Sequence, residues 1–271
     1  MMRGFHYTAP VTISEATAAL ADPEAKMIAG GMSLLSAMKL RLVAPSALVD
    51  LRKIPELRGI AMQGQSLVIG SMMRHADVAS DPVVLEHLPA LAVLAGGIGD
   101  RQVRNRGTLG GSLANNDPAA CYPAATLALG AIIQTDRRAI RAQDFFKGLY
   151  ETALEHDEVI ISVALPITAR AAYVKFPHPA SRFALVGAFV ADFGHGDIRV
   201  AITGAGPSVF RSAEIEQALK ADFSVASARA AKVSAHGLNS DLAAAPDYRA
   251  HLCSLMASRA VAAILSTPER N

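Results

Sequence analysis

The chain has 271 residues, of which 51% are hydrophobic and 18% charged, with a net charge of +2. That length and apolar content specify two ordinary domains or one large one around a substantial core, and the near balance of charge, with no Lys/Arg run, excludes an electrostatic grip on nucleic acid. Two cysteines far apart, Cys121 and Cys253, exclude a disulfide scaffold and a cysteine-ligated iron–sulfur cluster within this chain, and they fit a reducing compartment.

Along the chain, no apolar stretch follows Met1-Met2-Arg3, so no signal peptide is expected. Thr12-Ile13-Ser14-Glu15 is a capping box, which predicts a helix over residues 13–20. Residues 26–29 read as a short strand that runs into Gly30-Gly31, and Leu34, Leu35, Met38 and Leu42 then recur at helical spacing. The first glycine pair therefore lies between a strand and a helix start. Residues 47–51 and 66–70 read as strands, and residues 89–95 as an apolar helix stopped by Gly96-Gly97. The segment 99–116 is polar and glycine-rich and carries the second pair, Gly110-Gly111. Pro123 suits a first helical turn, and strands follow at 132–135 and 159–165.

After Pro166 the pattern changes. Residues 173–176, 183–193 and 198–203 read as strands, and the run from Phe183 to Val190 is apolar on both faces, as in a central strand. Helices follow at 213–220, 225–235 and 246–265. The last is interrupted by Arg259 and its apolar part is too short to span a bilayer. Strands followed by helices define a compact α+β unit, and the domain boundary is expected near residue 169.

Paired glycines let a backbone approach a diphosphate and adopt positive φ, and a helix start adds N–H donors and partial positive charge. Gly30, Gly31 and Ser33 fit that description, and Gly110, Gly111 and Ser112 offer a second cradle. Each pair alone is more often the mark of an ordinary tight turn. Neither G-x-G-x-x-G nor G-x-x-x-x-G-K-[ST] is present; Gly204-Ala205-Gly206 is closest and reads as a strand-end turn.

The segment Ala29-Gly30-Gly31-Met32-Ser33-Leu34-Leu35-Ser36-Ala37-Met38-Lys39-Leu40-Arg41-Leu42 resembles the first FAD motif of the flavin-carrying medium subunits of molybdenum hydroxylases, of the carbon monoxide dehydrogenase type. Arg106-Gly107-Thr108-Leu109-Gly110-Gly111-Ser112-Leu113-Ala114-Asn115-Asn116-Asp117-Pro118-Ala119-Ala120 resembles the second. Ile69-Gly70-Ser71-Met72-Met73-Arg74-His75 and the stretch from Lys175 to Phe183 also look like family segments.

The resemblance implies an α+β fold: a two-lobed FAD-binding domain of the vanillyl-alcohol oxidase (PCMH) type over residues 1–169, then a small C-terminal α+β domain over 170–271. It implies non-covalent FAD, since Met32 stands where many relatives carry His or Gln. It implies that Gly30, Gly31 and Ser33, with Ala29 and the Met32 and Leu34 amides, hold the pyrophosphate. Thr108, Gly111, Ser112 and Ala114 would meet the ribityl chain and flavin edge, Gly70 the adenine side, and Ile160 and Lys175 the flavin ring. Cys121 takes the place of an acidic residue common in relatives and reads as a small buried residue. His75 reads as a capping or surface residue ahead of a cofactor contact, and Arg101, Arg104 and Arg106 equally as a solvated loop or as contacts to the pyrophosphate or the iron–sulfur subunit. None of the eight histidines sits at metal-ligand spacing, and no catalytic residue is assigned.

The implied partners are a large subunit with the molybdenum–pterin cofactor and a small subunit with two [2Fe–2S] clusters, assembled as a dimer of heterotrimers in the cytoplasm, where the complex can associate with the inner face of the membrane. The implied role is electron transfer through FAD to an external acceptor, nominally with carbon monoxide as substrate of the assembly. The alternatives are an aldehyde, purine or N-heterocycle hydroxylase, a stand-alone FAD oxidoreductase, and a scaffold that has lost FAD.

Overall fold

The computed structural model describes residues 4–267; the extreme N-terminus read above lies outside them. Three larger sheets organise the described residues, beside a two-stranded ribbon of Phe146–Gly148 and Glu151–Thr152. His6–Thr8, Ala47–Asp50 and Lys26–Ile28 form a small parallel sheet with Ala47–Asp50 in the centre. An antiparallel sheet runs in the order Ile60–Gln63, Ser66–Gly70, Ile160–Pro166, Ile132–Thr135, Ala139–Arg141. A second antiparallel sheet runs Arg170–Pro177, Ala184–Asp192, Ile198–Thr203, Phe210–Arg211 and carries the long helix Pro246–Ser266. The fold is α+β throughout. Among the described residues no helix is long and apolar enough to cross a membrane.

The capping box forms over the helix Ile13–Ala19. The Glu15 amide donates to Thr12 Oγ1, and the Glu15 carboxylate reaches back one residue further than expected, to accept from the Val11 amide. The next helix is shorter than its apolar spacing suggests. It spans Leu34–Lys39, and Arg41 turns left-handed at φ 60°. The Arg41 and Leu42 amides then donate back to Met38 O and Ala37 O, a Schellman closure. Leu42 therefore stands 73% exposed instead of joining the core. The polar, glycine-rich segment 99–116 is largely helical. It folds into two short helices, Arg101–Arg106 capped by Asp100 and Leu109–Asn115 capped by Thr108. The second glycine pair thus sits in the first turn of a helix. The helix expected over 225–235 stops at Ala230.

The strand Ala184–Asp192, apolar up to its terminal Asp192, is buried at all nine positions because both of its faces are covered. Side chains alternate across a strand. Val186, Ala188 and Val190 face the C-terminal helices, while Phe189 and Ala191 join the core of the five-stranded sheet. Gly187 lies on the Phe189 side, where the Tyr173 hydroxyl occupies the place of a side chain, 2.5 Å from an ideal Cβ.

Candidate functional site

A cleft of about 480 Å³ opens between the parallel sheet and the five-stranded sheet, a size within the usual range for small-molecule sites of ~300–1,000 Å³. One wall is the turn after Lys26–Ile28, where every residue from Ala29 to Leu34 lines the cleft. The facing wall is the start of the Leu109–Asn115 helix, through Gly107, Thr108, Gly110, Gly111, Ser112 and Ala114.

Backbone contacts fix the second wall. The His75 amide donates to Gly107 O, the Leu109 amide to Met73 O and the Gly110 amide to Ser71 O. Thr108 Oγ1 accepts from the Gly111 amide and closes the helix cap. The two walls meet at Gly30, where an added Cβ would stand 2.2 Å from Arg106 O and 2.8 Å from Gly107 Cα. Gly31 needs its φ of +74°, the left-handed region where a Cβ is strained. An added Cβ at Gly110 would fall 2.5 Å from Ser71 Cβ. Gly111, by contrast, would meet only Thr108 Oγ1 at 2.9 Å and Ala29 Cβ at 3.4 Å, so the closer steric constraint is at Gly110.

Of the residues singled out in the sequence, Ala29, Gly30, Gly31, Met32, Ser33, Leu34, Thr108, Gly111, Ser112, Ala114 and Ile160 are brought together on this cleft. Gly70 and Lys175 do not line it. Gly70 faces away, toward Leu57 O and Arg58, while its neighbours Ser71 and Met72 reach the cleft. The Lys175 ammonium is committed to Gly97 O at 2.7 Å and Arg182 O at 2.9 Å, and stands 3.7 Å from Cys121 Sγ. Cys121 is buried, as expected, and is itself part of the wall.

Sequence reasoning missed His75, Ser71, Phe183 and Glu158, all on the cleft. His75 is neither a helix cap nor a surface residue. It is 5% exposed, its ring tilts against Tyr122 at 5.2 Å, and Nδ1 has no hydrogen-bond partner. The Ser71 hydroxyl is likewise buried and unpartnered. Arg74-His75 at a helix start was the available signal, but only the fold shows that Gly107 leaves room for the imidazole. Arg104 folds back on Ile98 O and Gly99 O, while Arg101 and Arg106 are exposed. His178 and Arg182 shape the hairpin beside Phe183, with Arg182 O accepting from Lys175.

Two of these groups make the cleft acid-sensitive. Burial, reinforced by the Arg104 charge, lowers the His75 pKa from 6.5 to about 4. Glu158 has a side chain with no exposure and is held by Arg138, the Glu155 amide and Thr135, which lower its pKa from 4.5 to about 2 despite burial. Both folded values lie below the unfolded ones, so the unfolded chain binds more protons in each window. Stability should therefore fall as pH drops from 6.5 toward 4 through His75, and again from 4.5 toward 2 through Glu158. Denaturant titrations of His75→Phe should lose the upper step. An unchanged slope between pH 6.5 and 4 would show that His75 titrates normally.

A two-walled cleft built from two glycine-paired turns, with the unpartnered Ser71 hydroxyl and His75 Nδ1 behind one of them, has the size and the backbone lining of a site for an extended ligand. The residues fit FAD on that test: the missing Cβ of Gly30 lets the two walls meet and that of Gly110 lets Ser71 pack behind the second, so both turns line one cleft. Residues 3–168 match the family described as the FAD binding domain in molybdopterin dehydrogenase. The chain is 40% identical over 220 residues to the carbon monoxide dehydrogenase medium chain of Hydrogenophaga pseudoflava, covering 76% of this chain and 77% of that one. It is 37% identical to the nicotine 6-hydroxylase medium subunit of Paenarthrobacter nicotinovorans over 79% of both chains. In fold it superposes on carbon monoxide dehydrogenase from H. pseudoflava at a TM-score of 0.86 and 35% identity, covering 98% of this chain and 99% of that one. Against quinoline 2-oxidoreductase from Pseudomonas putida 86 the TM-score is 0.88 at 33% identity, covering 97% and 98%. The chain belongs to the FAD-binding family of molybdopterin dehydrogenases, and it is an FAD-dependent oxidoreductase subunit of the molybdenum hydroxylase type.

Proposed function

We propose that this chain is the relay subunit of its assembly: it takes electrons from [2Fe–2S] clusters of a small partner and delivers them to an external acceptor, while a large molybdenum subunit oxidises the substrate. The observation that carries this reading is the convergence of both glycine cradles on one cleft, with Gly30 packed on the backbone between Arg106 and Gly107. When bound, the flavin supplies the exchange between one-electron and two-electron transfer.

The residues of this chain bind and position. The Ala29–Leu34 turn offers backbone N–H groups to the diphosphate, with Ser33 beside them. Thr108, Gly111, Ser112 and Ala114 line the path of the ribityl chain, and Ile160 packs along the cleft. Gly70 acts through Ser71 and Met72. Lys175 acts from behind Cys121 by tying the hairpin of Phe183 to Gly97. Met32 offers no nucleophilic nitrogen, so the cofactor is held without a covalent bond.

Carbon monoxide is the nominal substrate of the assembly. An N-heterocycle is the second reading, favoured because relatives at similar identity are named for nicotine and quinoline. The spread of substrates among close relatives supports a substrate choice made outside this chain. The assembly is proposed as a cytoplasmic dimer of heterotrimers that can lie against the inner face of the membrane. Residues 1–169 and 170–271 are proposed as its two domains. The test is to isolate the chain from its source and measure flavin, iron and molybdenum. Stoichiometric, acid-extractable FAD together with iron- and molybdenum-bearing partners is expected. A chain that carries FAD but elutes alone would leave the cofactor and remove the relay.

A further inference from the structure

The wall around Cys121 holds more hydrogen-bond donors than it has acceptors. Lysine carries three N–H donors. Lys175 gives two to Gly97 O and Arg182 O, and its third meets Cys121 Sγ at 3.7 Å, a weak acceptor at long range. The Tyr173 hydroxyl approaches the same sulfur yet has no hydrogen-bond partner, although Tyr173 is 8% exposed. A buried unpartnered hydroxyl is costly, and nothing else in this corner takes it up. What these donors lack is an oxygen on sulfur.

We propose that Cys121 is a site of oxidation by hydrogen peroxide, at which Lys175 and Tyr173 hold the resulting sulfenic acid. The sulfur attacks one peroxide oxygen, the O–O bond breaks and an S–O bond forms. Sulfur loses two electrons, and the second oxygen leaves as water with the thiol proton. The new oxygen accepts from the Lys175 ammonium and the Tyr173 hydroxyl, which converts an orphaned donor into a satisfied one. Cys121 is only 2% exposed, but it forms part of the cleft wall, so peroxide reaches it through the cleft. Cys253 is the internal contrast: it is fully buried among the C-terminal helices, and burial pushes its thiol up to about 12.

The experiment is peroxide treatment of the purified protein as isolated, followed by unfolding in dimedone and mass spectrometry of both cysteine peptides. Dimedone marks sulfenic acid at Cys121 and not at Cys253, and dithiothreitol given before dimedone removes the mark. Tyr173→Phe keeps the ring and the core, and Lys175→Met keeps the aliphatic stem. Each is expected to reduce the marked fraction at least threefold in favour of more oxidised sulfur. The proposal is overturned if Cys121 stays unmarked at peroxide levels that oxidise a free cysteine peptide, if both cysteines are marked equally, or if neither variant changes the marked fraction. Because a cofactor in the cleft would cover Cys121, the marking is read both on the protein as isolated and after removal of its flavin, and the proposal stands on the flavin-free sample. Neither reading depends on which partners the chain has, so its failure is distinguishable from failure of the relay reading.

Discussion

Gly30→Val should leave a folded protein that no longer retains FAD. The added Cβ would sit 2.2 Å from Arg106 O and 2.8 Å from Gly107 Cα. Both are backbone atoms, so no side-chain rotation relieves the overlap. The first cradle must withdraw from the second, and the distance between the two walls changes. Losing two charge-assisted hydrogen bonds to a diphosphate, at roughly 1.5–3 kcal/mol each, predicts at least a ~100-fold weaker Kd. Flavin absorbance after gel filtration, with far-UV circular dichroism as the check on folding, reads the result. Gly110→Val should act similarly through Ser71. Gly111→Val should weaken binding less, because its neighbour is one hydroxyl. Full flavin content in Gly30→Val would mean that the two walls do not grip one ligand.

The second large effect concerns stability. Arg249 is 3% exposed, and its guanidinium donates to Leu185 O and Gly204 O and pairs with Asp241. Leu185 and Gly204 lie at the paired ends of two central strands, and Gly204 turns there at φ +82°. Arg249→Met keeps the volume of the stem and strands both carbonyls. Breaking a buried charged contact costs about 3–5 kcal/mol, and the half-exposed Asp241 places this case near the lower end. For a chain of this size, about 3 kcal/mol lowers Tm by roughly 6–12 °C. Arg141→Met is the control: its pair with Asp144 is exposed on both sides, and such pairs contribute about 0–1 kcal/mol. Equal melting curves for the two variants would show that Arg249 is dispensable.

Much of this architecture was legible because the chain marks it locally. The Thr12 box, the Pro123 helix start and the two-faced strand of Phe189 carry their structure in short windows. The cradles were legible as glycine pairs, and their long flanking motifs tied them to one cofactor. What stayed hidden depends on distant partners. The segment 99–116 reads only as polar and glycine-rich because its glycines weaken a helix signal, whereas Asp100 and Thr108 cap two short helices that the 71–75 backbone then holds. His75 looked superficial because nothing near it in sequence predicts that Gly107 makes room for its ring. Leu42 continued a helical pattern, yet chain reversal at Arg41 ended it. Lys175 matched a flavin position, yet its ammonium is spent on carbonyls from two other segments.

The contact between Thr203 and the 118–120 loop has a thermodynamic consequence. The Thr203 hydroxyl lies 2.6 Å from Ala120 O and 2.8 Å from Pro118 O and has one proton to donate between them, and the Gly204 amide donates to Pro118 O. Ala120 and Cys121 line the cleft, and Phe189 and Ala201 share the apolar core of the five-stranded sheet. Heat should therefore melt the N-terminal and C-terminal halves as one cooperative unit. By linkage, cofactor occupancy in the first half should raise the protection of Ile198–Thr203 amides against hydrogen exchange in the second.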